Sequence, residues 1–353
     1  MKKWLVKAGL VCLFSSICLH ARAATATFEI INDPVQQTWS NFAFSANGSV
    51  MAANYGGEIY RWTASTGFQD LGPGDIYSSS IGISGNGSTI ISGRVGADGF
   101  SSPTIWKAGS VIDLGHPFNG CTQVGNSWGS GYGLNTDGSI AVGLAWNCSD
   151  AEGFEWTAQG GNRSLGHPAG NHSSRASAIS ANGTTVVGFW EDPTGPRRPV
   201  RWIGGKHDLF LGSKTLGEAT AVTNNGEEIV GQAPNSYGWS VAFLYSDKRG
   251  LKLLGTIRRS HTDQSFPNGI SENGRIVGWS GDVFGGGIEA FLWTQKDGMQ
   301  RCSKVLRSMG AKIPAGMILL TAVTISADGS AMAGEYFDTK QLIVGNWMAH
   351  ITK

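Results

Sequence analysis

The sequence predicts an all-β fold, a seven-bladed β-propeller of four-stranded antiparallel sheets. Three observations lead to this prediction: a turn that recurs along the chain, one large aromatic residue in each repeat, and a last repeat that lacks a strand. Charged residues are 15% of the chain, glycine is abundant, and no long segment carries apolar residues at helical spacing.

The recurring turn follows an apolar segment that runs into Asn-Gly or Asp-Gly. The turn glycines are Gly48, Gly87, Gly138, Gly183, Gly226, Gly274 and Gly329. Their spacing of roughly 40 to 55 residues is typical of propeller blades. β-prone segments flank each pair, which predicts a hairpin between strands A and B with a two-residue type I′ turn, in which both residues have positive φ.

Each repeat also places one bulky ring in its predicted strand C. These rings are Trp62, Trp106, Trp156, Trp202, Tyr245, Trp293 and Trp347. A large ring fills the wedge between sheets that splay outward from a central axis, so we expect these residues in the core.

The last repeat supplies strands A to C at residues 321–326, 331–336 and 342–351, and no segment for strand D follows. Residues 27–31 are β-prone and belong to no repeat. We therefore expect this N-terminal strand to complete the last blade and close the ring, which removes two sheet edges. An open solenoid is the alternative, and it requires polar capping segments that the sequence does not show. Residues 302–309 are expected to form a short helix outside the ring.

The N terminus has the features of a secretory signal over residues 1–23. Lys2, Lys3 and Lys7 precede an apolar run at 8–19, and Ala21-Arg22-Ala23 fits a cleavage site. A membrane anchor is the alternative, although the run is shorter than the ~20 residues that span a bilayer. We expect one propeller domain over residues 24–353, without an integral membrane segment, secreted or periplasmic in a Gram-negative-type bacterium.

Charge and cysteine content limit the partners. The net charge of +1 gives no general attraction to nucleic acid. Cys121 and Cys148 lie in loops of neighbouring repeats, where an oxidising compartment would allow a disulfide, but the sequence does not fix their separation. Cys302 is then left over and is expected to be buried.

Several segments resemble the HAF repeats, a bacterial extracellular-repeat family named for a His-Ala-Phe tripeptide. The matching motifs are Glu289-Ala290-Phe291-Leu292-Trp293, Val241-Ala242-Phe243-Leu244-Tyr245, the run from Gly269 to Gly274 and the run from Ile325 to Gly329. The naming histidine is absent before Ala242 and Ala290. The resemblance implies a secreted or surface location and no particular chemistry.

The connections opposite the Asn-Gly turns are long, variable and rich in aromatic residues, and such loops on a rigid scaffold usually carry binding. Candidate ligand-binding residues there are Trp128, Trp146, Trp190, Arg197, Tyr237, Trp239 and Trp279. Rings beside hydrogen-bonding groups suit a surface glycan or a protein partner. The alternative is that the rings pack their own loops. The oligomeric state stays open.

An enzymatic alternative uses carboxylates near the channel. Glu152, Glu155, Glu191, Asp192, Asp282 and Glu335 could supply the pair that a glycoside hydrolase or lyase needs, if two lie at a suitable separation. The string Gly125-Asn126-Ser127-Trp128-Gly129 has no helix after it, so a nucleophile elbow is not expected. The mature chain has no zinc motif, and no metal, cofactor or catalytic residue is assigned. A purely structural role in a surface assembly is a third hypothesis.

Overall fold

The computed structural model describes residues 24–32, 40–76, 78, 80–115, 129–146, 150–166, 172–212, 214–282, 284–285 and 287–352. The strands of this part form seven four-stranded sheets. Every strand pairing is antiparallel, and six of the sheets take their strands in sequence order. The predicted seven-bladed propeller is therefore confirmed.

We number the blades in chain order and give the strands of each blade from the first, strand A, outward. Blade 1 contains β2 (Ser40–Phe44), β3 (Val50–Tyr55), β4 (Glu58–Thr63) and β5 (Gly67–Pro73). Blade 2 contains β6 (Gly82–Ile83), β7 (Thr89–Val95), β8 (Ser101–Lys107) and β9 (Ser110–Asp113). Blade 3 contains β10 (Gly129–Leu134), β11 (Ile140–Trp146), β12 (Ala151–Thr157) and β13 (Gly161–Ser164). Blade 4 contains β14 (Ser174–Ile179), β15 (Thr185–Glu191), β16 (Arg197–Ile203) and β17 (Lys206–Asp208). Blade 5 contains β18 (Glu218–Val222), β19 (Ile229–Pro234), β20 (Ser240–Ser246) and β21 (Gly250–Gly255). Blade 6 contains β22 (Gln264–Ile270), β23 (Ile276–Asp282), β24 (Gly287–Thr294) and β25 (Gly298–Arg301). Blade 7 contains β26 (Met317–Ile325), β27 (Ala331–Asp338), β28 (Ile343–Thr352) and, from the N terminus, β1 (Thr25–Ile31).

Strand β1 closes the ring as the sequence predicts. It pairs antiparallel with β28, in a register that sets Thr27 opposite His350 and Ile31 opposite Asn346. The Phe28 ring stacks on Trp347 with centroids 6.1 Å apart. Since β2 of the first blade packs against β26 of the last, the open-solenoid alternative is wrong.

The A to B turns differ from the predicted type. In blade 4 the N–H of Gly183 donates to the carbonyl oxygen of Ser180 at 2.9 Å, and only the glycine of the Asn182-Gly183 pair has positive φ, at 75°. The type I′ prediction is therefore wrong. The Ser180 hydroxyl donates to Oδ1 of Asn182 at 2.6 Å and accepts from the N–H of Thr185 at 3.0 Å. This network favours a longer turn, with the glycine after the Asx residue in the left-handed region.

The same side-chain position opens every A to B turn and accepts an N–H at the start of strand B. The residues are Ser45, Ser84, Asn135, Ser180, Thr223, Ser271 and Ser326. Successive turns are also joined to each other around the axis. In each link the backbone N–H of one turn donates to an oxygen of the next. The acceptor is a backbone carbonyl in six links and the Glu272 carboxylate in one. Donor and acceptor residues are Ala46 and Gly85, Asn86 and Thr136, Thr136 and Ala181, Ala181 and Asn224, Asn224 and Glu272, Glu272 and Ala327, and Asp328 and Ala46.

The core lies between neighbouring blades. Trp202 of blade 4, for example, is 1% exposed and belongs to a cluster with Val142 of blade 3. Trp106, Trp202, Trp293 and Trp347 are buried as predicted, whereas Trp62, Trp156 and Tyr245 are half-buried.

The predicted short helix is present as α1 (Cys302–Ser308), and it packs against blades 6 and 7. Cys302 is fully buried as expected, and burial raises the pKa of its thiol to about 12. The N–H of Ala26 in β1 donates to the carbonyl oxygen of Met309 at 2.8 Å, which ties the closing strand to the end of this helix.

Candidate functional site

The two ends of the propeller have different chemistry. We call the end that carries the A to B turns the turn face, and the end that carries the B to C connections and the links between blades the loop face. The exposed Asn or Asp of each turn accepts hydrogen bonds from its own turn, as Asn182 does from the N–H of Thr184 at 3.0 Å. The turn face is therefore polar and internally hydrogen-bonded.

Most exposed large apolar side chains of the described residues lie on the loop face. They are Ile76, Val95, Trp146, Leu216, Tyr237, Phe284, Ile318, Leu342, Ile343 and Val344. Of the others, Ile203 ends strand C of blade 4 at the turn face, and the outermost strands carry Ile30, Val111, Ile112, Leu251 and Leu253. Ten of these sixteen side chains are thus at one end of the ring, whereas the A to B turns at the other end are polar.

Three pairs of aromatic rings lie on blades 5 and 6 toward this face, and we call the six residues together the aromatic cluster. Its members are Tyr237, Trp239, His261, Phe266, Trp279 and Phe284. Tyr237 packs on His261 with ring centroids 4.4 Å apart, and Trp239 meets Phe284 edge to face at 6.3 Å. Phe284 is 80% exposed and Tyr237 is 61% exposed. The sequence prediction selected Tyr237, Trp239 and Trp279 and omitted the other rings from its candidate site.

The remaining predicted binding residues have different positions. Trp146 ends β11 on the loop face and is 36% exposed, so it is accessible. Trp190 is 6% exposed and packs with Trp202 in the core, so its ring is not offered to a ligand. Trp128, Cys121 and Cys148 lie outside the described residues.

Arg197 takes part in a charged network between blades 4 and 5. Its guanidinium lies 3.3 Å from Glu191 and 3.1 Å from Glu218, and above the Phe189 ring at 4.1 Å. Glu218 is also 3.4 Å from Arg175, which lies over the Tyr132 and Phe189 rings. Positive charge at this point is therefore balanced within the protein.

A central channel runs between the inner strands and contains a cavity of about 940 Å³. One small residue in strand A of each blade explains the volume of the cavity. It lies two positions before the residue that opens the A to B turn, and it lines the cavity. These residues are Ala43, Gly82, Gly133, Ala178, Ala221, Gly269 and Thr324. The sequence carries this signal in every copy, as a small residue and an apolar one before the Ser-x-Asn-Gly type of turn, and the sequence-based prediction of the site did not include it.

The channel lining is polar toward the loop face. Asn41, Arg175, Thr321, Glu335 and the Trp279 ring contribute to it there. Among the described lining residues, Glu335 is the one carboxylate and Arg175 the one guanidinium. Burial raises the pKa of Glu335, and its carboxylate accepts a hydrogen bond from the Thr321 hydroxyl at 3.4 Å.

Most of the carboxylates considered for catalysis have a partner within their own blade. Glu155 pairs with Arg163 at 2.8 Å, and Asp192 accepts from Nε of Arg198 at 2.9 Å. Glu191 pairs with Arg197, Glu152 accepts from the Ser164 hydroxyl, and Asp282 accepts from the N–H of Phe284. The described part of the channel therefore does not present two carboxylates to one substrate, the arrangement that the hydrolase alternative requires.

The described residues contain neither a cluster of metal ligands nor a membrane-spanning helix. No group of three or more His, Cys, Asp or Glu side chains in the described ranges could hold a metal ion. None of the helices there is long and apolar enough to span a bilayer.

No model of a known protein family matches the sequence, and no curated protein matches it. Solved structures with a similar fold include the β-propeller domain of the trilobed protease from Pyrococcus furiosus, with a TM-score of 0.57, 9% identity, and 92% of this chain and 95% of that chain covered. That domain is described as having an open velcro topology, whereas β1 pairs with β28 here.

Two other solved structures are similar at the level of the fold. A prolyl endopeptidase gives a TM-score of 0.54 at 11% identity, with 93% of this chain and 50% of that chain covered. A putative TolB from Agrobacterium tumefaciens gives a TM-score of 0.46 at 14% identity, with 93% and 98% covered. At these identities the likeness to the protease domain and to the prolyl endopeptidase shows the β-propeller fold alone.

Proposed function

We propose that the protein is a secreted or periplasmic binding module that holds a partner protein on its loop face. The observation that carries this proposal is the contrast between the two ends of the ring. The polar side chains of the turn face accept hydrogen bonds from their own turns. The loop face exposes apolar and aromatic side chains, among which Phe284 is 80% and Tyr237 is 61% exposed.

The aromatic cluster supplies the kind of anchors that dominate protein interfaces. Exposed aromatic rings bury a large apolar area at low cost in side-chain entropy, and a few of them carry most of the binding free energy. Leu342 and Ile343, at the tip of the β27–β28 hairpin, extend the apolar surface on the neighbouring blade 7. A surface glycan is the alternative ligand, because Tyr237 and Trp239 lie beside the hydrogen-bonding side chain of Asn235.

The proposed location rests on the sequence. Residues 1–23 have the pattern of a secretory signal, and the repeats resemble the extracellular HAF repeats.

Affinity capture with matched variants tests the proposal. The mature protein is immobilised and exposed to a cell-envelope extract and, separately, to a glycan array. We expect one saturable protein ligand whose capture falls about tenfold or more in the Tyr237→Ala, Phe284→Ala double variant, since interface anchors are worth ~2 kcal/mol or more.

The control is the Thr184→Ala, Glu227→Ala double variant, which changes exposed residues of the turn face. Its capture is expected to equal that of the wild type. Binding that survives the loop-face changes, or that is lost in the turn-face control, would contradict the proposal. Saturable binding on the glycan array with no protein captured would favour the glycan alternative.

A further inference from the structure

The channel contains an acidic group that forms no ion pair within the part of the chain that the structure describes. Glu335 lines the cavity, and its carboxylate has the Thr321 hydroxyl as its hydrogen-bond partner. No lysine or arginine of the described residues forms an ion pair with it. The segments left undescribed contain no lysine or arginine except within residues 1–23 and at Lys353.

The cation that lines the same cavity, Arg175, has a charged partner within the protein. Arg175 has Glu218 at 3.4 Å, donates to the Ser177 hydroxyl at 3.1 Å, and lies over two aromatic rings. The protein thus neutralises the positive group of its channel and leaves the negative one for solvent or a ligand. A partly buried carboxylate that lacks a cation costs stability, and such groups concentrate at functional sites.

An aromatic ring lies at the matching place in the adjacent blade. Trp279 directly follows Gly278 in strand B of blade 6, and Glu335 directly follows Gly334 in strand B of blade 7. Equivalent positions in neighbouring blades lie at the same height in the ring, and both residues line the same cavity. Phe266 stacks on the Trp279 ring at 4.4 Å and holds it in place.

We propose that the loop-face end of the channel binds an organic cation, an alkylammonium or guanidinium group, with Glu335 as its counter-ion and Trp279 as its aromatic partner. A carboxylate and an aromatic ring that line one cavity suit this chemistry, because the ring attracts the cation through its quadrupole while the carboxylate compensates its charge. The cavity of about 940 Å³ admits either a free amine or a basic side chain of an inserted polypeptide. Trp279 also belongs to the aromatic cluster, but cation binding here does not require a protein partner on Tyr237 and Phe284.

Ligand-observed NMR titration of the full mature chain tests the proposal with three probes. They are n-butylamine, the blocked peptide acetyl-Gly-Lys-Gly-amide, and its neutral match acetyl-Gly-Gln-Gly-amide. We expect saturable binding of at least one amine probe and none of the glutamine peptide at the same millimolar concentration. Binding of the lysine peptide alone assigns the site to a basic side chain, and equal binding of butylamine assigns it to a free amine.

Variants connect the binding to the two residues. Glu335→Gln keeps the size of the side chain and removes its charge, and we expect it to weaken amine binding about tenfold or more. Trp279→Leu is expected to weaken it by a smaller factor, and Glu335→Asp to retain part of it. Glu29→Gln, on an exposed position of the outermost strand, is the matched control and is expected to bind as the wild type does.

The thermal unfolding midpoint of each variant shows that it is folded. Failure of both amine probes to bind, equal binding of the glutamine peptide, or unchanged affinity in folded Glu335→Gln would each overturn the proposal.

Discussion

The backbone N–H of Asp328 in the last blade donates a hydrogen bond to the carbonyl oxygen of Ala46 in the first blade, at 2.9 Å. It is one of the links that join the A to B turns around the axis, and it connects parts of the chain nearly 300 residues apart. Together with the pairing of β1 and β28, it closes the ring at both its inner and its outer strands.

The outer closure predicts a stability effect at Phe28. Phe28→Ala removes the ring that stacks on Trp347, and because Phe28 is half-buried we expect a loss of about 1–2 kcal/mol, less than the ~3–5 kcal/mol of a fully buried phenylalanine. Glu29→Ala, at the next and exposed position of β1, serves as control and is expected to change little. Denaturant unfolding measures both, and equal losses in the two variants would contradict the docking of β1 through Phe28.

The turn network predicts that a buried hydroxyl contributes more to the free energy of unfolding than an exposed one does. The hydroxyls of Ser180 and Thr184 both donate to Oδ1 of Asn182, but Ser180 is fully buried and also accepts the N–H of Thr185. Ser180→Ala leaves that buried N–H without its acceptor and is expected to cost ~1–3 kcal/mol. Thr184→Ala is expected to cost less than half as much. Urea unfolding with unchanged m-values tests this, and the reverse order would refute the role given to Ser180.

The acid stability of the protein is predicted to depend on Asp192. The hydroxyl and the N–H of Thr194, and then Arg198, lower its pKa from 3.8 to about 2. A depressed pKa in the folded state gives stability that is complete above 3.8 and is lost as the pH falls toward 2.

Asp192→Asn is therefore expected to be less stable than the wild type at pH 7, with a difference that shrinks between about pH 4 and pH 2. Thermal unfolding at a series of pH values measures this difference. A gap that stays constant over that range would show that the charge of Asp192 is not its source.

Glu335 predicts the opposite dependence on pH. Burial raises its pKa above 4.5, so the folded state holds this proton more tightly than the unfolded state does. The carboxyl then lowers stability progressively as the pH rises from its ordinary value through the raised one. We expect Glu335→Gln to unfold at a higher temperature than the wild type at pH 7, with a smaller gain at pH 4. A variant less stable than the wild type at pH 7 would contradict this assignment.

The ring closure could be predicted from the sequence because each of the two segments that form it is recognisable from its own residues. Residues 321–351 match strands A to C of the repeat, and residues 27–31 form a β-prone segment that belongs to no repeat. The turn type was not predictable from the Asn-Gly pair alone, since it is the Ser180 side chain that selects the longer turn.

The positions of the loop-face rings depend on which side of a strand each residue faces. Trp279 immediately follows the strand B glycine and lines the channel, whereas Trp190 is the second residue after Gly188 and enters the core. Successive residues of a strand point to opposite faces, so counting from this glycine separates an accessible ring from a buried one. The central cavity also requires the register of all inner strands, which no single repeat reveals.

Hydrogen–deuterium exchange, measured with and without a captured partner, is the sharpest test that the partner binds the loop face. We expect slower exchange at the loops around Tyr237 and Phe284 in the complex, with unchanged exchange at the turns around Asn182 and Asn225. Protection confined to the turns or to the outer strands, with the loops around Tyr237 and Phe284 unaffected, would contradict it.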